Sequence, residues 1–403
     1  MRYRSSRKII DMIKAERKLL EFIEKHISVI ALAGFFIIGA LMRLVSRNFV
    51  SEDAYNYLLG WYDDIKNAGG FKALSEQVGN YNVLYQTLIA LFTYLPIPAL
   101  FAYKGLSIVF DLLLALLIGY IVYKESASEK AFDLGAVAFS IVWISPVVLF
   151  NSSLWAQCDS IYAFFTVLSL YLLYKEKNIA AFIVYGIALS FKLQAIFVLP
   201  FFLLFYFCKK SFSILNFLIV PAVLWVSSIP AIIAGRGVFT AFSLYFNQTN
   251  EYGCVVMNYP SFMMTMSYDY MQKFYETASP IGMVITVFAL AVLMVMFIRN
   301  KPELNFDIFI LTALLLTYTT VFFLPAMHDR YGFVYEILAI VYVFRNKKTI
   351  VPCIALMLMS TATYSNFLFH VGIDLRIVTA FNFFTYATYV WFFLNAIKQK
   401  ENA

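Results

Sequence analysis

Four short stretches of this chain carry ionisable and hydrogen-bonding side chains where the flanking sequence is almost wholly apolar. Ser51-Glu52-Asp53 follows one apolar run, and Trp155, Gln157 and Asp159 open another. Lys192 and Gln194 sit between two half-length runs, and His328-Asp329-Arg330-Tyr331 precedes a further one. A carboxylate beside a reacting hydroxyl can act as a general base, which is one role for Glu52 or Asp53; the other is a solvated acid just outside a helix. Asp63 and Asp64, further on beside Trp61, read as surface acids. An indole flanked by an amide and a carboxylate suits a sugar, which stacks on the ring and hydrogen-bonds through its hydroxyls. Asp159 could equally complement a helix dipole, with Asn151 or Ser152 as the cap. Lys192 is either half of a buried ion pair or a cation facing a phosphate. Arg330 has the same two readings, and its planar fork makes it the better phosphate ligand. His328, beside Asp329 and Arg330, joins this group. Lys104 and Asp111 are seven positions apart, which puts them two turns apart on one helical face, either pairing structurally with other helices or as part of a site.

The elements that must position these groups are membrane helices. The 403 residues are 62% hydrophobic and 19% aromatic but only 14% charged, whereas a soluble domain is roughly half apolar and about a quarter charged. A net charge of +7 is accounted for by basic cytoplasmic loops, not by a nucleic-acid surface. Cys158, Cys208, Cys254 and Cys353 show no C-x-x-C spacing, so neither a disulfide framework nor a zinc site is expected. There is no P-loop, no H-E-x-x-H and no G-x-S-x-G, which leaves cytoplasmic nucleotide chemistry without a motif.

Basic residues recur at the N-terminus and around 124–130, 175–177, 209–210, 299–301, 345–348 and 398–400. Placing all of them inside predicts an all-α polytopic membrane protein of about 11–13 transmembrane helices. The expected spans are 27–45, 103–123, 132–150, 160–174, 179–191, 195–208, 212–234, 280–298, 306–325, 332–344, 349–369 and 377–395. Residues 82–98 are short, apolar and end in two prolines, and they predict a re-entrant or interfacial helix; irregular backbone at membrane depth needs protein or a water-filled cavity around it. Residues 1–26 form an amphipathic cytoplasmic segment on this reading, 27–397 a single integral domain and 398–403 a cytoplasmic tail, with external loops at about 46–81 and 235–279. The four polar stretches then fall on the external face, beside a cavity in the outer leaflet.

In order along the chain, "SED" at 51–53, "YNVLY" at 81–85, "WAQCD" at 155–159, "KLQ" at 192–194 and "HDRYG" at 328–332 resemble motifs of the GT-C glycosyltransferases. The likeness is to bacterial relatives of the second mannosyltransferase of GPI-anchor synthesis, whose pattern is S-D-D, Y-P-P-L-Y, W-G-Q-x-D, K-P-Q and H-E-R-Y-F. The resemblance implies a GT-C-like bundle that transfers one hexose, with inversion, from a polyprenyl-phosphate donor to a glycan or lipid acceptor outside the membrane. It implies Asp53 as base with Glu52 as its neighbour, and Arg330, Lys192 and His328 at the donor phosphate. Trp155, Gln157, Asp159, Gln194, Asp329 and Tyr331 would surround the sugar. Some members of the wider class use Mg or Mn and others do not; this sequence has no clear ligand cluster for either. Two rival readings are a lipid-linked glycan or small-molecule transporter or flippase and an envelope polysaccharide polymerase. A transporter should carry an internal repeat and midplane polar groups, and a polymerase a large Arg-rich late loop, whereas 235–279 holds one arginine, Arg236. A bacterial plasma membrane is the expected location.

Overall fold

The computed structural model describes residues 14–248, 253–265 and 275–398. The first thirteen positions, part of the 235–279 loop and the tail beyond Lys398 lie outside the described residues. The chain is an all-α polytopic membrane protein. Among the described residues, six helices are long and apolar enough to cross a bilayer: Glu16–Asn48, Ala99–Glu125, Tyr275–Asn300, Phe306–Phe323, Lys347–Phe369 and Leu375–Lys398. The bent pair Ala131–Ile144 and Pro146–Leu154, which turns through 43° at its break, is long and apolar enough to make a seventh if it is one span.

The other expected spans are helices too, but short ones. Asp159–Tyr174, Asn178–Phe191, Leu193–Lys209 and Ile214–Ser227 each have fewer than 18 residues, below the roughly 20 that a perpendicular crossing takes. The segment expected to be re-entrant contains the short helix Val83–Phe92, which starts where Asn82 Oδ1 accepts the Val83 N–H at 2.6 Å.

Helix Phe306–Phe323 is the axis of the bundle, with 83% of its length buried. Its side chains are apolar all round, as a helix sheathed by other helices requires. The exceptions are Asp307 in the first turn, the Tyr318 hydroxyl, and Thr312, Thr317, Thr319 and Thr320, whose hydroxyls donate to carbonyls one turn back. Helices Ala99–Glu125 and Ala131–Ile144 meet backbone to backbone: a Cβ on Gly119 would stand 2.9 Å from Gly135 O, and one on Gly135 2.8 Å from Gly119 O. Small residues at such crossings allow the close packing that holds membrane helices together.

The two ends of the bundle differ. One gathers basic residues with their acids: Lys175 on Glu125 at 2.6 Å, and Arg345 on Asp307 at 2.5 Å with a further bond to Glu125 O. At the other end, the termini of several helices leave a cavity of about 350 Å³. A two-residue parallel pairing, Val256–Met257 with Met327–His328, ties the late loop to that cavity's wall.

Candidate active site

The four polar stretches converge because irregular backbone brings them in. The first helix ends at Val45, and Lys104 Nζ caps the turn that follows by donating to Ser46 O (2.9 Å), Arg47 O (3.3 Å) and Phe49 O (2.6 Å). Ser51 Oγ then donates to Trp155 O at 3.0 Å while accepting the Ala54 N–H. A wide turn closed by Leu59 N–H on Ala54 O begins the next helix. A second wide turn, closed by Trp155 N–H on Phe150 O at 2.8 Å, precedes the 155–158 loop. Such wide turns are uncommon and concentrate at functional sites.

Asp53 sits where these segments meet, its side chain 23% exposed. Trp155 Nε1 donates to its Oδ2 at 2.7 Å and Gln157 Nε2 at 3.2 Å. Tyr81 holds Gln157 in turn, its hydroxyl donating to Oε1 at 2.9 Å. Arg330 NH1 lies 4.0 Å from the same Asp53 oxygen. The guanidinium also faces Asp159 (Nε to Oδ2, 3.4 Å) and Asp329 (NH1 to Oδ1, 3.6 Å). Burial works against its charge, but Asp159 and Asp329 outweigh it and leave the Arg330 pKa raised. Arg330 is therefore a permanent cation ringed by three carboxylates.

Asp159 is fully buried and is also bonded by Lys192 Nζ and by Asn151 Nδ2, the latter at 2.6 Å. His328 Nδ1 bonds Asp329 Oδ1. Two buried acceptors here, Asp329 Oδ2 and Gln194 Oε1, have no hydrogen-bond partner. Lys192, Gln194, His328, Arg330 and Tyr331 line the cavity.

Several expected roles change with this geometry. Trp155 offers no ring face to a sugar: it is fully buried, stacked on Phe367 at 4.4 Å with Arg330 over its ring at 5.1 Å. Gln157 and Asp159 are likewise enclosed, because their polar atoms are used to orient Asp53, Lys192 and Arg330. Glu52 is 61% exposed and pairs with His370 at 3.2 Å, so it stands apart from Asp53. Asp63 and Asp64 are exposed. Lys104 and Asp111 take the structural alternative, each bonded to other segments: Asp111 takes Arg43 (NH2, 2.8 Å), Ser152 Oγ (2.6 Å) and Ser160 Oγ.

Two buried ionisable groups escaped the sequence reading. Arg43 had a signal, since it lies at the helix end opposite to the basic loops. Glu336 had one too, as a lone acid inside an apolar run; it is 1% exposed and accepts from Ser360 Oγ. Among the described residues no group of three or more His, Cys, Asp or Glu could hold a metal ion. Asp53, Asp159 and Asp329 converge on a guanidinium, so the residues present do not fit a divalent cation. No family model matches this sequence, and no curated protein matches it.

Proposed function

We propose that this protein is a glycosyltransferase of the membrane that moves one hexose from a polyprenyl-phosphate donor to a hydroxyl of a glycan or lipid acceptor. The reaction would take place on the external face, in a bacterial plasma membrane. The observation that carries this reading is the sharing of Arg330 between a fixed, partly exposed carboxylate and a cavity. Asp53 is held by two uncharged donors on one side of the guanidinium, and the other side lines a space of about 350 Å³. Exposed apolar residues reach that space: Ile196, 39% exposed, and Met283, 46% exposed, both line it. A headgroup could enter there with its tail still in hydrocarbon.

In the proposed step, Asp53 accepts the acceptor's hydroxyl proton as that oxygen bonds to the anomeric carbon. The bond from this carbon to the phosphate oxygen breaks, and polyprenyl phosphate leaves with the electron pair. Attack from the face opposite the leaving group inverts the anomeric centre. Arg330, Lys192 and His328 would stabilise the negative charge that develops on the phosphate, the kind of preorganised help that often contributes most to a rate. The Arg330–Asp53 contact is the longest of the three that the guanidinium makes. An arriving phosphate would take that edge and leave Asp53 to its two neutral donors, Trp155 and Gln157.

The test is sugar transfer from synthetic polyprenyl-phosphate mannose and polyprenyl-phosphate glucose in liposomes, for the parent and for Asp53→Asn. Transfer by the parent, lost in a variant that folds and binds donor, supports the reading. Transfer by both would remove Asp53 from the role of base. No transfer by either, with donor crossing the bilayer, would make the protein a transporter.

A further inference from the structure

Asp53, Tyr57 and Trp61 are spaced four apart on one helical stretch, and residues at that spacing lie along one face. The stripe starts at the carboxylate and runs outward. Tyr57 is 53% exposed, and its ring centroid is 5.8 Å from that of Trp61. Trp61 meets Tyr81 edge-on at 5.9 Å and 85°. Tyr81 closes the circuit through its hydroxyl, because it holds the Gln157 that holds Asp53.

This aromatic surface is braced. A Cβ on Gly79, at φ +67°, would stand 2.5 Å from Trp61 Cδ2, so the indole lies directly on the backbone there. Gln77 Nε2 spans the same turn, donating to Gly79 O at 2.8 Å and Tyr81 O at 2.9 Å. Arg236 NH1 pins Gln77 in turn, donating to its Oε1 at 2.7 Å. A platform fixed in this way gives up little entropy on binding.

Resting on the transferase reading above, we infer that Tyr57 and Trp61 form the acceptor subsite and that the acceptor is a glycan at least two sugars long. A pyranose presents a C–H face that packs on an aromatic ring, and Tyr and Trp add a polar tip for its hydroxyls. One helical turn is about 5.4 Å, roughly one sugar ring. A sugar over Tyr57 and Trp61 would therefore present the next one to Asp53. The other use of exposed Tyr and Trp is an interfacial belt among lipid headgroups. On the same stretch exposed Asp63 and Asp64 outnumber the one exposed cation, Lys66, and this favours the glycan, since anionic headgroups repel a surface with an excess of carboxylates.

The experiment is saturation-transfer NMR on the full chain in nanodiscs, with methyl hexosides, disaccharides and trisaccharides of mannose and of glucose as probes. At least one disaccharide or trisaccharide should take up saturation where its methyl hexoside does not. Trp61→Ala should cut that signal at least fivefold and Tyr57→Ala about threefold, with Trp61→Phe keeping most of it. No signal from any probe with the parent overturns the inference, as does equal binding by Trp61→Ala. Quenching of Trp61 fluorescence by brominated lipid, read as the difference from Trp61→Phe, would also overturn it by placing the ring in lipid. In the transfer assay, an acceptor KM that Trp61→Ala leaves unchanged would sink the subsite and spare the transferase. An inactive parent that still binds saccharide through Trp61 would sink the transferase alone.

Discussion

Two buried ionic clusters among the described residues are built differently. In the first, Arg43 and Asp111 are 4% and 0% exposed, and both carboxylate oxygens accept hydrogen bonds. The guanidinium also donates to Gly39 O and Trp143 O and lies 3.6 Å above the Trp143 ring. One cation meets one anion, and the pair is sealed. The second cluster surrounds Arg330 and Lys192 with Asp53, Asp159 and Asp329. Its two cations face three carboxylates, two of its buried acceptors have no hydrogen-bond partner, and it opens on a cavity. A polar network left incomplete inside a protein is costly unless something completes it. The sealed pair is architecture, whereas the open cluster is poised for a ligand.

The comparison predicts opposite phenotypes. Asp111→Ala would leave Arg43 charged and unpartnered, and breaking a buried pair in this way costs about 3–5 kcal/mol. We expect poor yield and an early melt in detergent, with any surviving protein still active. A variant that folds normally but has lost transfer would place Asp111 in the chemistry instead. Arg330→Lys should do the reverse. A lysine keeps the charge but loses the fork that reaches Asp53, Asp159 and Asp329 together. Transfer should fall by about a hundredfold with the melting temperature nearly unchanged, a transition-state loss of about 2.7 kcal/mol. Unimpaired transfer would take Arg330 away from the phosphate.

Replacing both partners sharpens the contrast. Arg43→Met with Asp111→Leu should recover most of the stability that Asp111→Ala loses, because apolar residues can substitute for a structural ion pair at little cost. Lys192→Met with Asp159→Leu should also fold, yet stay inactive, since it removes a cavity cation and one anchor of Arg330. Recovery of transfer in that second pair would make both clusters equally structural.

How much of this the sequence carried depends on the range of the interaction. The helices were legible, since apolar runs declare themselves locally; even the short spans fall close to where Asp159–Tyr174, Asn178–Phe191 and Phe333–Arg345 lie. The convergence of residues 53, 155–159, 192 and 328–331 was legible too, once the basic loops shared one side. What failed was the assignment of faces. Trp155 reads as a sugar platform until Phe367, more than two hundred positions away, covers it. Lys104 and Asp111 do pair with other segments, as their structural reading had it, but nothing local names Arg43 or the 46–49 carbonyls as the partners. Long-range packing decides which side of a membrane helix is covered, and local pattern does not carry that information. Where the resembled motif has an aromatic residue, Gly332 has a local reason instead: a Cβ there would be 2.4 Å from Glu336 Oε1 and 2.8 Å from the Tyr335 hydroxyl.

A second departure from the resembled pattern gives the smallest effect and the most local test. Ala156 stands where that pattern has glycine, and its backbone is left-handed, at φ +63°. A side chain in that region costs roughly 1–2 kcal/mol through the clash of Cβ with the following carbonyl, and the adjoining Trp155 and Gln157 are the two donors that hold Asp53. Glycine removes that cost but adds freedom to the unfolded chain, which takes back a few tenths to about 1 kcal/mol. Ala156→Gly should therefore stabilise the protein by at most about 1 kcal/mol and leave transfer within about twofold, as read from paired melts and rates. Destabilisation beyond 1 kcal/mol would mean that the Ala156 methyl packs into the fold strongly enough to outweigh its strain. The loop that orients Asp53 would then be fixed by side-chain packing more than by the Asn151, Ser51 and Gln157 bonds.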